Sequence, residues 1–165
     1  MRFHCRNSVQ NMKYIMILFS SRSWYFQFLL LYLFMSEKHI YKARIYYEDT
    51  DAGGVVYYAN YFKFIERART EMIYKLLGLS HSSLKNNHGC IFLVSGLTAK
   101  FLKPIKFEDN IEVFTRILSK SAVRLKLEQI IKKKSDPMFK SEVDLAVVNS
   151  KGKLSKLDKG LLAKI

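Results

Sequence analysis

Asp51 stands two residues ahead of a glycine pair, Gly53 and Gly54, and an amphipathic segment opens near Asn60. The glycines let the backbone reverse direction tightly, and a helix starting there aims its first amides back toward the carboxylate. A carboxylate facing a helix N-terminus can attack a polarised carbonyl, or activate water against one. Aspartate before glycine is also a common turn signal, so spacing alone leaves Asp51 open as a turn residue. The adjacent Glu48 and Asp49 read as charged flanks.

The elements around this turn must hold it in place. Residues 40–47 have the aromatic and β-branched content of a strand that delivers the chain to the acidic turn. Beyond it, Tyr61, Ile65, Ala68, Met72 and Leu76 recur at three- and four-residue steps, which predicts a helix with one apolar face, and Gly78 is placed to end it. That stripe reads as core, not as a cofactor box. Four further strands are expected: the apolar run 91–101, then 111–117, 123–127 and 143–147, each of the last three alternating apolar with polar. A turn over 132–137, through Ser135, Asp136 and Pro137, should connect the last two. One strand, a long helix and four mostly antiparallel strands make an α+β layout.

From Tyr46 to Glu71 the chain reads YYEDTDAGGVVYYANYFKFIERARTE. Asp51, the glycine pair, the Tyr57-to-Tyr61 stretch and the Glu66-Arg67-Ala68-Arg69 helix resemble the hotdog-fold acyl-CoA thioesterases of the 4-hydroxybenzoyl-CoA thioesterase family, YbgC type. The resemblance implies a hotdog fold, with a curved antiparallel sheet wrapped around a long central helix. It implies an enzyme hydrolysing short-chain or aromatic acyl-CoA, with acyl carrier protein thioesters also open as substrates. Asp51 would be nucleophile or general base, and the backbone N–H of Tyr58 would polarise the thioester carbonyl. Gly54, Val55 and Asn60 would lie against the substrate. No metal and no bound cofactor is implied. The protein would form a homodimer or tetramer, with active sites at the subunit interface, in the cytoplasm. YbgC-type members usually carry His where this chain has Tyr58, whereas the 4-hydroxybenzoyl-CoA enzymes carry Tyr. A backbone donor survives that change, while any imidazole contribution to rate or acyl preference is lost. The competing reading is a non-catalytic hotdog module binding acyl carrier protein or a cell-envelope partner.

The chain of 165 residues has the length of one ordinary domain and a formal net charge of +14. Such an excess attracts anions, whether nucleic acid, anionic lipid, acyl carrier protein or coenzyme A phosphates, and also serves as a plain solubilising surface. A nucleic-acid binder is not expected, because the aromatics fall in core periods and no binding motif is present. Lys103, Lys106, Arg116, Arg124 and Lys132 to Lys134 could meet phosphates, but no glycine-rich cradle singles them out. Cys5 and Cys90 lie far apart without metal-ligand spacing, and His4, His39, His81 and His88 read as surface or loop residues, with a pocket role for His88 left open.

Residues 1–34 lie outside the resemblance. They are strongly apolar from Tyr14 on, but Arg22 interrupts them and a central Arg costs about 2.5–3.5 kcal/mol on insertion scales. No small-residue cleavage pattern follows. The expectation is a functional domain over 35–165 starting at Met35, with 1–34 an extension of the reading frame. Membrane association through 1–34 stays open.

Overall fold

The computed structural model describes residues 39–165. The expectations for 1–34 and for a start at Met35 fall outside the described residues.

The chain order is β1 (His39–Arg44), a 3-10 turn (Tyr47–Asp49), α1 (Tyr58–Leu77), α2 (His81–His88), β2 (Ile91–Phe101), β3 (Asn110–Lys120), β4 (Arg124–Lys133), β5 (Asp136–Val148) and α3 (Lys159–Lys164). The strands form one sheet in the order β1-β3-β4-β5-β2, with every pairing antiparallel. This is the curved sheet and long helix of a hotdog fold.

The expected helix face is in the core. Tyr61, Phe64, Ile65, Ala68, Met72, Ile73 and Leu77 are buried, whereas Leu76 is only half-buried. Gly78 ends α1 in the left-handed region at φ 66°, where its N–H reaches the Tyr74 carbonyl. The inner sheet face supplies Ile111 and Val113, Leu125, Leu127 and Ile131, and Phe139, Val143, Leu145 and Val147. Each such side chain removed from water contributes about 1.5–3 kcal/mol.

Several details of the elements differ from the sequence reading. β1 ends at Arg44, not at Tyr47, because the Asp49 carboxylate accepts the Tyr46 N–H at 2.9 Å and bends the chain into the 3-10 turn. The β4–β5 turn is tighter than 132–137: only Lys134 and Ser135 lie between the strands, with Lys134 at φ 55°. Pro137 therefore sits inside β5, opposite Lys132 next to a register shift, where a missing N–H is tolerated. Finally, α2 and α3 were not foreseen; they start on side-chain caps, Ser80 accepting from the Ser83 N–H and Asp158 from the Leu161 N–H.

Candidate active site

Residues 50–56 fold back on themselves. Thr50 and Val56 form an antiparallel bridge, the Asp51 N–H donates to the Val55 carbonyl at 2.9 Å, and the Gly54 N–H donates to the Asp51 carbonyl at 3.0 Å. Gly54 takes φ 72°, the left-handed conformation that closes such a turn and that a side chain would strain. The Gly53 N–H donates to Asp51 Oδ1 at 2.8 Å, so the turn holds the exposed carboxylate by one oxygen. A Cβ at Gly53 would come within 3.1 Å of that oxygen.

The loop is tied to α1 through Asp49. Its carbonyl accepts the Tyr57 N–H at 2.9 Å and Asn60 Nδ2 at 3.0 Å. Asp49 is buried, which corrects its reading as a charged flank: its carboxylate caps the 3-10 turn and its carbonyl receives the helix. A second brace comes from the segment before β3. Val55 bridges to Lys106, the Val56 N–H donates to the Ile105 carbonyl at 2.8 Å, and the Ile105 N–H donates to the Tyr61 hydroxyl at 3.3 Å. Burial pushes the Tyr61 phenol up, and that hydrogen bond partly offsets the push. Sequence reasoning missed Ile105, an isolated apolar residue after Pro104 whose only signal was apolarity outside any periodic run.

Tyr58 is the first residue of α1, and Tyr57 precedes it without a side-chain cap. The first amides of a helix have no carbonyl one turn earlier to bond; here the Asn60 N–H is taken up by the Tyr57 carbonyl at 2.8 Å, which leaves the Tyr58 N–H ahead of the first such bond. The Tyr57 and Tyr58 rings lie 4.7 Å apart. The neighbouring Tyr58 phenol pushes the Tyr57 phenol up. Asp51, Gly54 and Val55 thus share one hairpin that ends at the start of α1. Asn60 lies behind it, buried, with its amide on the loop carbonyls.

Several basic side chains raised as phosphate contacts are engaged within the protein. Lys103 pairs with Asp136 at 3.1 Å, Arg116 with Glu128 at 2.8 Å and Lys133 with Asp109 at 2.6 Å, while Lys132 lies over the Phe114 ring. His88 faces Asp158 at 3.4 Å. His39 is buried, not a surface residue, and pairs in register with Thr115.

Residues 46–165 match the model of the thioesterase-like superfamily. The chain is 34% identical over 109 residues to the acyl-CoA thioesterase YbgC of Haemophilus influenzae, covering 66% of this chain and 79% of that protein. It is 38% identical over 105 residues to the acyl-CoA thioester hydrolase YbgC of Shigella flexneri, covering 64% of this chain and 76% of the relative. Among solved structures, a probable thioesterase from Bartonella henselae superposes with a TM-score of 0.69 at 30% identity, covering 73% of this chain and 99% of that one.

Proposed function

The chain belongs to the thioesterase-like superfamily and, by kinship with the YbgC proteins, is an acyl-CoA thioester hydrolase; from that premise we propose that Asp51 and the first turn of α1 carry out the hydrolysis. The observation that carries this reading is the hairpin over residues 50–56, pinned to α1 through Asp49, Tyr57 and Asn60. It puts the Asp51 carboxylate on the hairpin that leads straight into α1, whose first residue is Tyr58 and whose first bonded amide is that of Asn60, on the Tyr57 carbonyl at 2.8 Å.

In this reading the thioester carbonyl lies against the N–H of Tyr58, and the positive end of α1 stabilises the oxyanion. Asp51 either attacks the carbonyl carbon, expelling the coenzyme A thiolate and leaving an acyl-aspartyl anhydride that water then hydrolyses, or takes a proton from a water that attacks the carbonyl directly and expels the thiolate. Gly54 and Val55 form the wall along which the acyl thioester passes. Asn60 keeps the carboxylate loop in register with the helix. One oxyanion donor of this kind is worth about 2.7–4 kcal/mol. The Tyr58 side chain rests against the Tyr57 ring, and the electrophilic help comes from the backbone amide, which does not depend on the side chain at 58.

The enzyme works as a homodimer through the β2 edge. β2 lies at the rim of the sheet and exposes Val94, Leu97 and Phe101, an apolar row that the bulge after Val94 keeps on one face, with Leu93 on the other, along a long unpaired edge. Pairing two such edges covers the row and sets two sites across one interface. The substrate is a short-chain or aromatic acyl-CoA of the cytoplasm, and acyl carrier protein thioesters are the second class to compare.

Release of free thiol from a panel of acyl-CoA and acyl carrier protein thioesters tests the reading. Turnover of at least one acyl-CoA is expected. No thiol release from any thioester, with acyl carrier protein still bound, would leave the non-catalytic module in its place.

A further inference from the structure

Three polar side chains lie in one row across the apolar inner face of the sheet. Thr115 of β3 pairs in register with Gln129 of β4, and Gln129 with Ser141 of β5. Thr115 and Gln129 are fully buried and Ser141 is 2% exposed. The alternation that makes Leu125, Leu127 and Ile131 core residues would place a fourth apolar residue at 129. A glutamine there leaves buried polar atoms that must be satisfied.

They are satisfied by the helix. Gln129 Nε2 donates to the Ile65 carbonyl at 2.9 Å and to Thr115 Oγ1 at 2.9 Å. Arg69 Nη1 donates to Gln129 Oε1 at 2.9 Å. The amide orientation follows from its partners, because Arg69 can only donate and the Ile65 carbonyl can only accept. Burial lowers the Arg69 guanidinium, with Glu66 opposing that shift.

Apolar contacts between α1 and the sheet are non-directional and tolerate small slides and rotations. The network through Gln129 is directional and binds the middle of α1 to β3 and to the central strand β4. At its other end the same helix is bound to the Asp51 loop by Asn60. We infer that Gln129, anchored by Arg69 and Thr115, is a positioning residue: it sets where α1 rests on the sheet and so where the Tyr58 N–H stands relative to the Asp51 carboxylate. This rests on the proposed reading of Asp51 and Tyr58. A reacting group displaced by about 1 Å costs on the order of 10²-fold in rate, whereas ground-state binding of a long ligand is spread over many contacts.

Gln129→Met keeps the volume and removes the directional bonds. The Ile65 carbonyl keeps its intrahelical amide, the Thr115 hydroxyl can turn to a strand carbonyl and Arg69 can reach water, so the fold should hold. The experiment measures kcat, KM and Tm for Gln129→Met, Arg69→Met and the double variant on one acyl-CoA. Expected are a kcat fall of at least about tenfold for Gln129→Met, a smaller fall for Arg69→Met, a double variant no worse than Gln129→Met alone, and KM unchanged throughout. A wild-type kcat in Gln129→Met overturns the inference. So does a kcat loss that merely tracks the unfolded fraction given by Tm. If Gln129→Met does not fold, Arg69→Met decides alone, since its side chain is half-buried: unchanged kcat overturns the inference. Asp51→Asn, run in parallel, separates the two levels. Wild-type turnover there sinks the active-site reading itself, while an inactive Asp51→Asn beside a normal Gln129→Met sinks the positioning role only.

Discussion

Asp49 and Asp51 are two residues apart and of one type, yet they do different work because of what surrounds them. Asp49 is buried and spends its carboxylate on the Tyr46 N–H, while Asp51 is exposed and held through one oxygen by Gly53. Asp49→Ala should therefore lower stability by about 1 kcal/mol, the usual cost of a lost cap, as read by denaturant unfolding. Glu48→Ala should change it by less than about 0.5 kcal/mol. Gly54 at φ 72° makes a separate demand on the loop. Gly54→Ala should cost about 1–2 kcal/mol of local strain and lower turnover without a comparable fall in Tm, because the strain can be relieved by opening the hairpin tip. The Asp51-to-Tyr58 motif was legible in the sequence because turn glycines and a helix start are local signals. The role of Asp49 was not, because its partners Tyr57 and Asn60 reach it only after the hairpin has closed.

At the scale of elements, β2 was read to its observed ends because a mainly apolar stretch, interrupted by Ser95, Gly96, Thr98 and Lys100, lies between Gly89 and Lys103. β4 and β5 were read too short, and one physical cause explains both. Their inward positions 129 and 141 carry Gln and Ser, which break the apolar alternation although the strands continue through them to Ile131 and Phe139. The row that positions α1 is also the row that hid the strands' true lengths. α2 left little trace because Leu84 is its one buried residue. Between elements, the Tyr61 hydroxyl joins α1 to the segment that braces the hairpin. Tyr61→Phe leaves the buried Ile105 N–H without that acceptor and should cost about 1–3 kcal/mol in unfolding experiments.

For the whole molecule, the exposed apolar row on β2 and two carboxylates held by lysines and an arginine make separate predictions. Val94→Asp with Leu97→Asp places charges on the proposed dimer edge; sedimentation should show a monomer with little activity, whereas a fully active monomer would remove the shared-site model. Glu128 is drawn two ways, raised by burial and lowered by Lys140 and Arg116, and rests below the usual carboxylate range. Asp109 behaves likewise beside Lys133. Groups with depressed folded pKa values stabilise fully above the unfolded value near 4 and lose that contribution as pH falls through the folded one. Tm should thus hold from neutral pH down to about 5 and fall below 4, and Glu128→Gln should flatten that fall while lowering Tm at pH 7. Among the described residues, no helix is long and apolar enough to cross a membrane. The superfamily match begins at residue 46, so a chain starting at Met35 is expected to fold and keep its turnover; loss of activity on that truncation would give residues 1–34 a role in the enzyme.

The central claim is that the Asp51 carboxylate does the chemistry. Asp51→Asn keeps the size and the turn and removes only the charge, so the measurement is thiol release and acyl-CoA affinity for this variant beside the wild type. The account predicts unchanged binding, an unchanged Tm and a fall in kcat of at least on the order of 10²-fold. Wild-type turnover by Asp51→Asn, or a loss explained entirely by unfolding, would return Asp51 to the role of a turn residue.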